Sequence, residues 1–111
     1  SKQDGLSNVL ENLFPRMDIS KKISSKLLKD FSEGKFQQKK EIFESLEKIL
    51  SEANNKIHPT GLNDLITVMK TALTDKNKNL VRIVLSFLNK LFESLGTNSN
   101  NFASYLIPNI L

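Results

Sequence analysis

The sequence predicts an all-α protein built from a repeated pair of antiparallel helices. Apolar residues follow helical spacing almost throughout, and no stretch alternates between apolar and polar residues as a half-buried strand would. One helical pattern also recurs further along the chain. The length of 111 residues suits a single domain with a small core.

Four segments carry the helical spacing, and they define the predicted elements in chain order. Their apolar positions are Ile19, Ile23, Leu27 and Phe31; then Ile42, Phe43, Leu46, Ile49 and Leu50; then Leu62, Leu65, Ile66, Met69 and Leu73; and last Val81, Val84, Leu85, Leu88, Leu91, Phe92 and Leu95. Because residues three and four apart lie on one helix face, each set predicts a helix with a buried side.

Polar residues and glycine mark where these helices should begin and end. Asp18, Thr60 and Asp75 are suitable N-caps for helices that begin near Ile19, after Thr60 and near position 76. Gly96 fits a helix C-terminus. Stretches 54–55 and 97–101 are expected to be turns, and a short helix is expected over 6–13.

The first helix pair matches the second at a constant offset. Ile23, Leu27 and Phe31 correspond to positions 65, 69 and 73, a step of 42 residues, and the second helix of each pair keeps the same step. This period is typical of HEAT and armadillo repeats. We therefore expect a HEAT-repeat α-solenoid with an N-terminal extension (1–17), a first repeat (18–55), a second repeat (58–96) and the first helix of a third (99–111).

Composition limits the classes of function. The net charge of +4 favours a partner with an acidic surface. Of the 16 basic residues, Arg16 and Arg82 are the arginines, which weighs against nucleic acid because its readers usually rely on arginine. The chain has no cysteine and no apolar run of membrane-spanning length, so we expect a cytoplasmic protein that does not bind membranes.

The sequence predicts neither catalysis nor a cofactor. The four glycines are widely spaced and form no phosphate-binding loop, and no nucleophile has a base at a suitable spacing. His58, the single histidine, follows Ile57 in a turn and is expected to be structural or exposed, since a metal site needs several ligands. We expect no metal, no cofactor and no small-molecule substrate.

The loop within each repeat is the predicted functional region, because such loops line up along one edge of a solenoid. The first loop spans 32–36 and the second 74–78. Phe36 aligns with Lys78, which favours an exposed aromatic anchor among lysines. The alternative is that Phe36 folds back onto the start of its helix.

The stretches 13–53 and 73–96 resemble a TOG domain of the ch-TOG and mini-spindles family of microtubule polymerases. The string LFPRMDIS at 13–20 is most similar to the start of the fourth TOG domain in such arrays. The resemblance implies a HEAT-repeat paddle that binds αβ-tubulin or microtubules, without enzyme activity, at the cytoskeleton, including spindles and centrosomes.

The resemblance also implies which residues contact tubulin. Phe36 occupies the place where the first loop of a TOG domain usually presents a tryptophan. The implied tubulin-binding residues are Lys35, Phe36, Lys39, Lys76, Asn77, Lys78 and Arg82.

Two other functions remain open at this point. The chain could be a HEAT-repeat scaffold for a different acidic protein, or, with less support, a solenoid that binds nucleic acid. The apolar residues of 106–111 would leave an exposed patch on the last helix, so self-association through that helix is also expected.

Overall fold

A computed structural model describes residues 15–100 and Phe102, and this part of the chain is helical without strands. The four α-helices are α1 (Ser25–Glu33), α2 (Phe36–Glu52), α3 (Asn63–Ala72) and α4 (Lys78–Leu95). Two 3-10 turns, Ser20–Lys22 and Gly96–Ser99, flank them. The predicted helix over 6–13 and most of the predicted third repeat lie outside the described residues.

The helices pack as two antiparallel pairs, α1 with α2 and α3 with α4. Lys22, just before α1, lies 3.9 Å from Glu52 at the end of α2, so these helices run in opposite directions. The amide of Ile57, before α3, donates to the carbonyl of Ser94 near the end of α4 (3.0 Å). The all-α prediction is confirmed, and the arrangement is compatible with an α-solenoid.

The two pairs lie side by side, with α1 against α3 and α2 against α4. Phe43 of α2 contacts Phe87 of α4, with ring centroids 5.4 Å apart. Further along both helices, Glu47 accepts from Lys90 at 2.9 Å. Because residues later in α2 contact residues later in α4, the two helices are parallel, and both begin at the same end of the molecule.

A line of aromatic contacts joins the pairs through the core. Phe31 of α1 packs edge-on against Phe43, with centroids 5.2 Å apart, and Phe43 in turn contacts Phe87. Phe31, Phe43 and Phe87 are each at most 2% exposed. Burying such a side chain contributes about 1.5–3 kcal/mol, so this line is a main source of stability.

The predicted helix starts need three corrections. Asp18 does not cap α1: its Oδ1 accepts from the amide and hydroxyl of Ser20 (2.9 and 2.6 Å), which forms the 3-10 turn instead. These bonds, first the hydroxyl and then the amide, lower the pKa of Asp18. α1 begins at Ser25, and the cap is Ser24, whose Oγ accepts from the Leu27 amide at 3.0 Å.

The other two helices also begin further along the chain than predicted. Thr60 donates its amide to Nδ1 of His58 (3.2 Å), and α3 begins at Asn63 without a side-chain cap. Asp75 accepts from the amide of Asn77 (2.7 Å), and it is Asn77 that caps α4. The predicted end of α4 is confirmed, because Gly96 has a positive φ of 63°.

The end opposite the starts of α2 and α4 is closed by the N-terminal segment. We call residues 15–19, 53–62 and 94–96 the clasped end. Met17 forms a parallel bridge with Ile57, donating to the Lys56 carbonyl (3.0 Å) and accepting from the His58 amide (2.8 Å). This segment therefore ties the linker between the pairs to the body of the protein.

Arg16 extends this closure to α4. Its Nη1 donates to the carbonyls of Ser94 (2.8 Å) and Ile57 (3.3 Å). A cation at a helix C-terminus is favourable because the last carbonyls carry partial negative charge. Position 96 favours glycine for its positive φ of 63°, and a Cβ there would lie 2.6 Å from Nη2 of Arg16 and displace the guanidinium from its present place.

Candidate functional site

The two connections within the helix pairs, 34–35 and 73–77, lie at the end opposite the clasp. We call this the connection end, and it includes the first turns of α2 and α4. Its position follows from the parallel packing of α2 and α4. The end therefore gathers the predicted site residues of both connections onto one side of the molecule.

The first connection is very short because α1 stops abruptly. The amide of Gly34 makes the last helical hydrogen bond, to the Asp30 carbonyl (2.9 Å), and the extended backbone of Gly34 (φ −76°, ψ 162°) then ends the helix. A Cβ at Gly34 would lie 2.7 Å from that carbonyl oxygen, so only glycine fits. Lys35, which follows, is exposed.

Phe36 is not an exposed ring at a loop tip, contrary to the favoured prediction. It is the first residue of α2, is half-buried and packs against the core. The physical reason is that the helix begins at position 36, so the apolar ring can rest on the neighbouring core surface. The alternative prediction, that Phe36 folds back onto the helix start, agrees better with the structure.

Lys39 is similarly engaged within the protein. It lies in the first turn of α2, is half-buried, and holds its Nζ 5.5 Å from the ring centroid of Phe31. A cation over an aromatic face is attracted by the ring quadrupole, which restrains the side chain. Lys40, the next residue, is exposed. Its spacing of four from Phe36 could have identified it as a further surface cation at this end.

The second connection presents cations more openly. Lys76, Lys78 and Arg82 are all exposed. Asn77 is exposed as well, but its Oδ1 accepts from the amides of Asn79 (2.9 Å) and Leu80 (3.4 Å). Its side chain is therefore committed to capping α4, a role that its position just before the helix could have indicated.

The charge at the connection end opposes the usual preference of helices. Neither α2 nor α4 has an acidic residue in its first turn, and the same holds for α1, whereas α3 has Asp64 there. Lysines near a helix N-terminus are unfavourable by about 0.3–1 kcal/mol each, because the free N–H groups are themselves positive. Lys35, Lys76 and Lys78 outnumber the acidic Glu33 and Asp75 here, so together with the two helix N-termini this end is net positive.

The described residues, 15–100 and Phe102, contain no cluster of metal-binding side chains. In this range, no three His, Asp or Glu side chains converge on a point where they could hold a metal ion. None of the described helices is both long and apolar enough to cross a bilayer. His58 is exposed and accepts a hydrogen bond from Thr60, which agrees with a structural histidine.

Comparison with known proteins found similar stretches in much longer proteins. The chain is 35% identical over 97 residues to Protein MOR1 of Arabidopsis thaliana, which covers 87% of this chain and 5% of the relative. It is 33% identical over 99 residues to Centrosomal protein 224 of Dictyostelium discoideum (88% and 5%). It is 28% identical over 102 residues to Protein mini spindles of Drosophila melanogaster (92% and 5%).

No family model matches the chain. The similarity instead covers most of this sequence, and the chain spans about 5% of the length of these curated relatives. The protein is therefore similar to one short stretch of MOR1, Centrosomal protein 224 and mini spindles.

Proposed function

We propose that this chain is a non-enzymatic module that binds αβ-tubulin through its connection end, as part of a TOG-like HEAT array at the cytoskeleton. The surface comprises exposed Lys35, Lys76, Lys78 and Arg82, with Phe36 as an apolar contact at its base. We also propose that the chain corresponds to the fourth TOG domain of such an array.

The observation that carries the proposal is that the exposed cations of two successive connections lie at one end of the molecule, beside the parallel N-termini of α2 and α4. Charges that lower the stability of a protein are expected where function requires them. An acidic partner would be attracted to this end, and attraction of this kind mainly raises the association rate. Because Phe36 is half-buried, it can supply apolar contact but not a fully projecting anchor.

The names of the similar proteins support a partner from the microtubule cytoskeleton. Two of them are named for the centrosome and for spindles, which are microtubule structures. The sequence resemblance to TOG domains also implies tubulin. A different acidic protein partner fits the charge but receives no support from these names.

The test compares two triple charge reversals with the same net charge. Lys35→Glu, Lys76→Glu and Lys78→Glu together should weaken binding to purified αβ-tubulin at physiological salt by at least about tenfold. The matched control reverses Lys21, Lys29 and Lys48, which are exposed and lie away from the connection end. It should bind nearly as the unmodified chain does.

Equal losses in the two variants would mean that net charge, not this end, drives binding, and would refute the site. Failure of the unmodified chain to bind tubulin, together with retention on nucleic acid at the same salt, would refute the partner. Circular dichroism of both variants checks that each remains helical.

A further inference from the structure

A serine with two lysines just before it lies between the first 3-10 turn and α1. Ser24 follows Lys21 and Lys22 by three and two positions, and no other serine or threonine in the sequence has a basic residue at both of these positions. Protein kinases select substrates partly by such charge patterns, because an acidic cleft attracts cations at a fixed distance from the target hydroxyl. This pattern distinguishes Ser24 from the other hydroxyl residues of the chain.

The fold leaves Ser24 accessible together with both lysines. All three residues are exposed, and Ser24 has an extended backbone (φ −75°, ψ 157°) where the chain passes from the turn into α1. An extended segment can lie along the cleft of a partner, as peptides do when an enzyme or domain binds them. Ser45 and Ser86 are exposed as well, but they lie inside α2 and α4 and are held in helical backbone.

Little structure has to open for this segment to enter a kinase cleft. The Lys22 amide donates to the Ile19 carbonyl (2.9 Å), and the Ile23 amide donates to the carbonyl of Ser20 (3.2 Å). Ile23 is half-buried, and it leaves the core surface when the turn opens. Lys22 lies 3.9 Å from Glu52, with side chains 45% and 52% exposed, so this ion pair is weak. A short 3-10 turn of this kind opens locally without unfolding of the whole chain.

We propose that Ser24 is a phosphorylation site for a serine/threonine kinase that selects basic residues, with ATP as the phosphate donor. Oγ of Ser24 attacks the γ-phosphorus of ATP, the bond from this phosphorus to the bridging oxygen breaks, and ADP leaves. The hydroxyl proton passes to the catalytic aspartate of the kinase. The hydrogen bond that Oγ accepts from the Leu27 amide (3.0 Å) is released for the transfer.

The product phosphate stabilises the start of α1. Ser24 is the N-cap of this helix, so a phosphate there places nearly two negative charges beside the free N–H groups of the first turn. Lys21, Lys22 and Lys26 are exposed cations within three positions of it. Because these contacts exist only in the folded chain, the melting temperature should rise by about 3 °C on phosphorylation. This inference does not depend on the proposed binding of tubulin.

Phosphate transfer to the whole chain tests the site. The catalytic subunit of cyclic-AMP-dependent protein kinase, which selects basic residues two and three positions before its target, should phosphorylate Ser24 as located by mass spectrometry. Lys21→Gln with Lys22→Gln should lower kcat/KM for the transfer at least about tenfold. The matched control, Lys26→Gln with Lys29→Gln, removes the same charge after the serine and should stay within about twofold. Equal losses in the two variants, or phosphate on other serines only, would overturn the proposal.

Two serine variants complete the test. Ser25→Ala should still take up phosphate at Ser24 and show the same rise in melting temperature, whereas Ser24→Ala should take up none in this segment and show no rise. Phosphate found on Ser25 in place of Ser24 would overturn the site. An unchanged or lower melting temperature after complete phosphorylation of Ser24 would overturn the stabilising role of the phosphate.

Discussion

The clasped end and the connection end of this protein differ in their hydrogen bonding and in their exposed charge. At the clasped end, the carbonyl of Ser94 accepts from both Arg16 and Ile57, and Met17 pairs with the linker. At the connection end, two short links join the helices and exposed lysines stand next to helix N-termini. The two ends therefore differ in kind: backbone and Arg16 hydrogen bonds tie the clasped end together, whereas the connection end carries exposed cations beside helix N-termini.

The largest effect should come from the core of the clasped end. Ile57 is fully buried, and Ile57→Ala should lower the free energy of unfolding by about 3 kcal/mol, through lost burial and the cavity it leaves. Urea denaturation measures this change. Leu73→Ala, at a half-buried position of the connection end, is the matched control and should cost about 1 kcal/mol. Equal costs would remove the contrast.

Arg16→Ala should cost about 2 kcal/mol, because charged hydrogen bonds to two carbonyls are lost. Arg16→Lys should recover less than half of this loss, since lysine lacks the planar fork of guanidinium. Thermal unfolding of the two variants gives the ranking. If Arg16→Ala unfolds like the unmodified chain, the hydrogen bonds of Arg16 contribute nothing to stability.

Phe36→Ala should affect both stability and binding, because the ring is half-buried at the connection end. We expect a loss of about 1 kcal/mol in unfolding free energy. Under conditions where the variant remains folded, tubulin affinity should fall by about 2 kcal/mol. A variant that is destabilised but binds tubulin normally would make Phe36 a core residue only.

Lys78→Glu should move stability and binding in opposite directions. A carboxylate in the first turn of α4 interacts favourably with the helix N-terminus, so unfolding free energy should rise by about 0.5 kcal/mol. Tubulin association should become slower, which stopped-flow measurements detect. A loss of stability would show that Lys78 is not opposed by the helix N-terminus.

The smallest effect concerns Asp18 at the clasped end. Its pKa is lowered by the bonds from Ser20, so its carboxylate stabilises the folded chain above the ordinary pKa of 3.8. This contribution is lost as the pH falls through the lower pKa of the folded state. Asp18→Asn should therefore be less stable than the unmodified chain at pH 7, and the two should converge in strong acid. A difference that does not depend on pH would exclude the carboxylate as its cause.

Local sequence patterns predict the helices but not the contacts of the clasped end, because those contacts join residues far apart in the chain. Apolar spacing reflects one helix face at a time, so α2 and α4 could be predicted closely. Asp18 and Asp75 are predicted as caps because side chains that cap helices also stabilise turns. Both aspartates accept hydrogen bonds within turns instead, and the caps are Ser24 and Asn77.

At the candidate site, the exposure of Lys35, Lys76, Lys78 and Arg82 followed from their charge. The burial of Phe36 did not, because it depends on where α2 begins and on what lies beside it. The bond from Arg16 to Ser94 joins residues 78 positions apart, and no local signal in the sequence indicates such a contact.

That separation also sets an order of events during synthesis. The residues of α1 and α2 emerge from the ribosome early and can pack together through local contacts. Arg16 emerges before them, yet its acceptor on Ser94 exists only after almost the whole described chain has been made. The bond to Ser94 must therefore form late, whereas the pairing of Met17 with the linker needs only the chain up to His58.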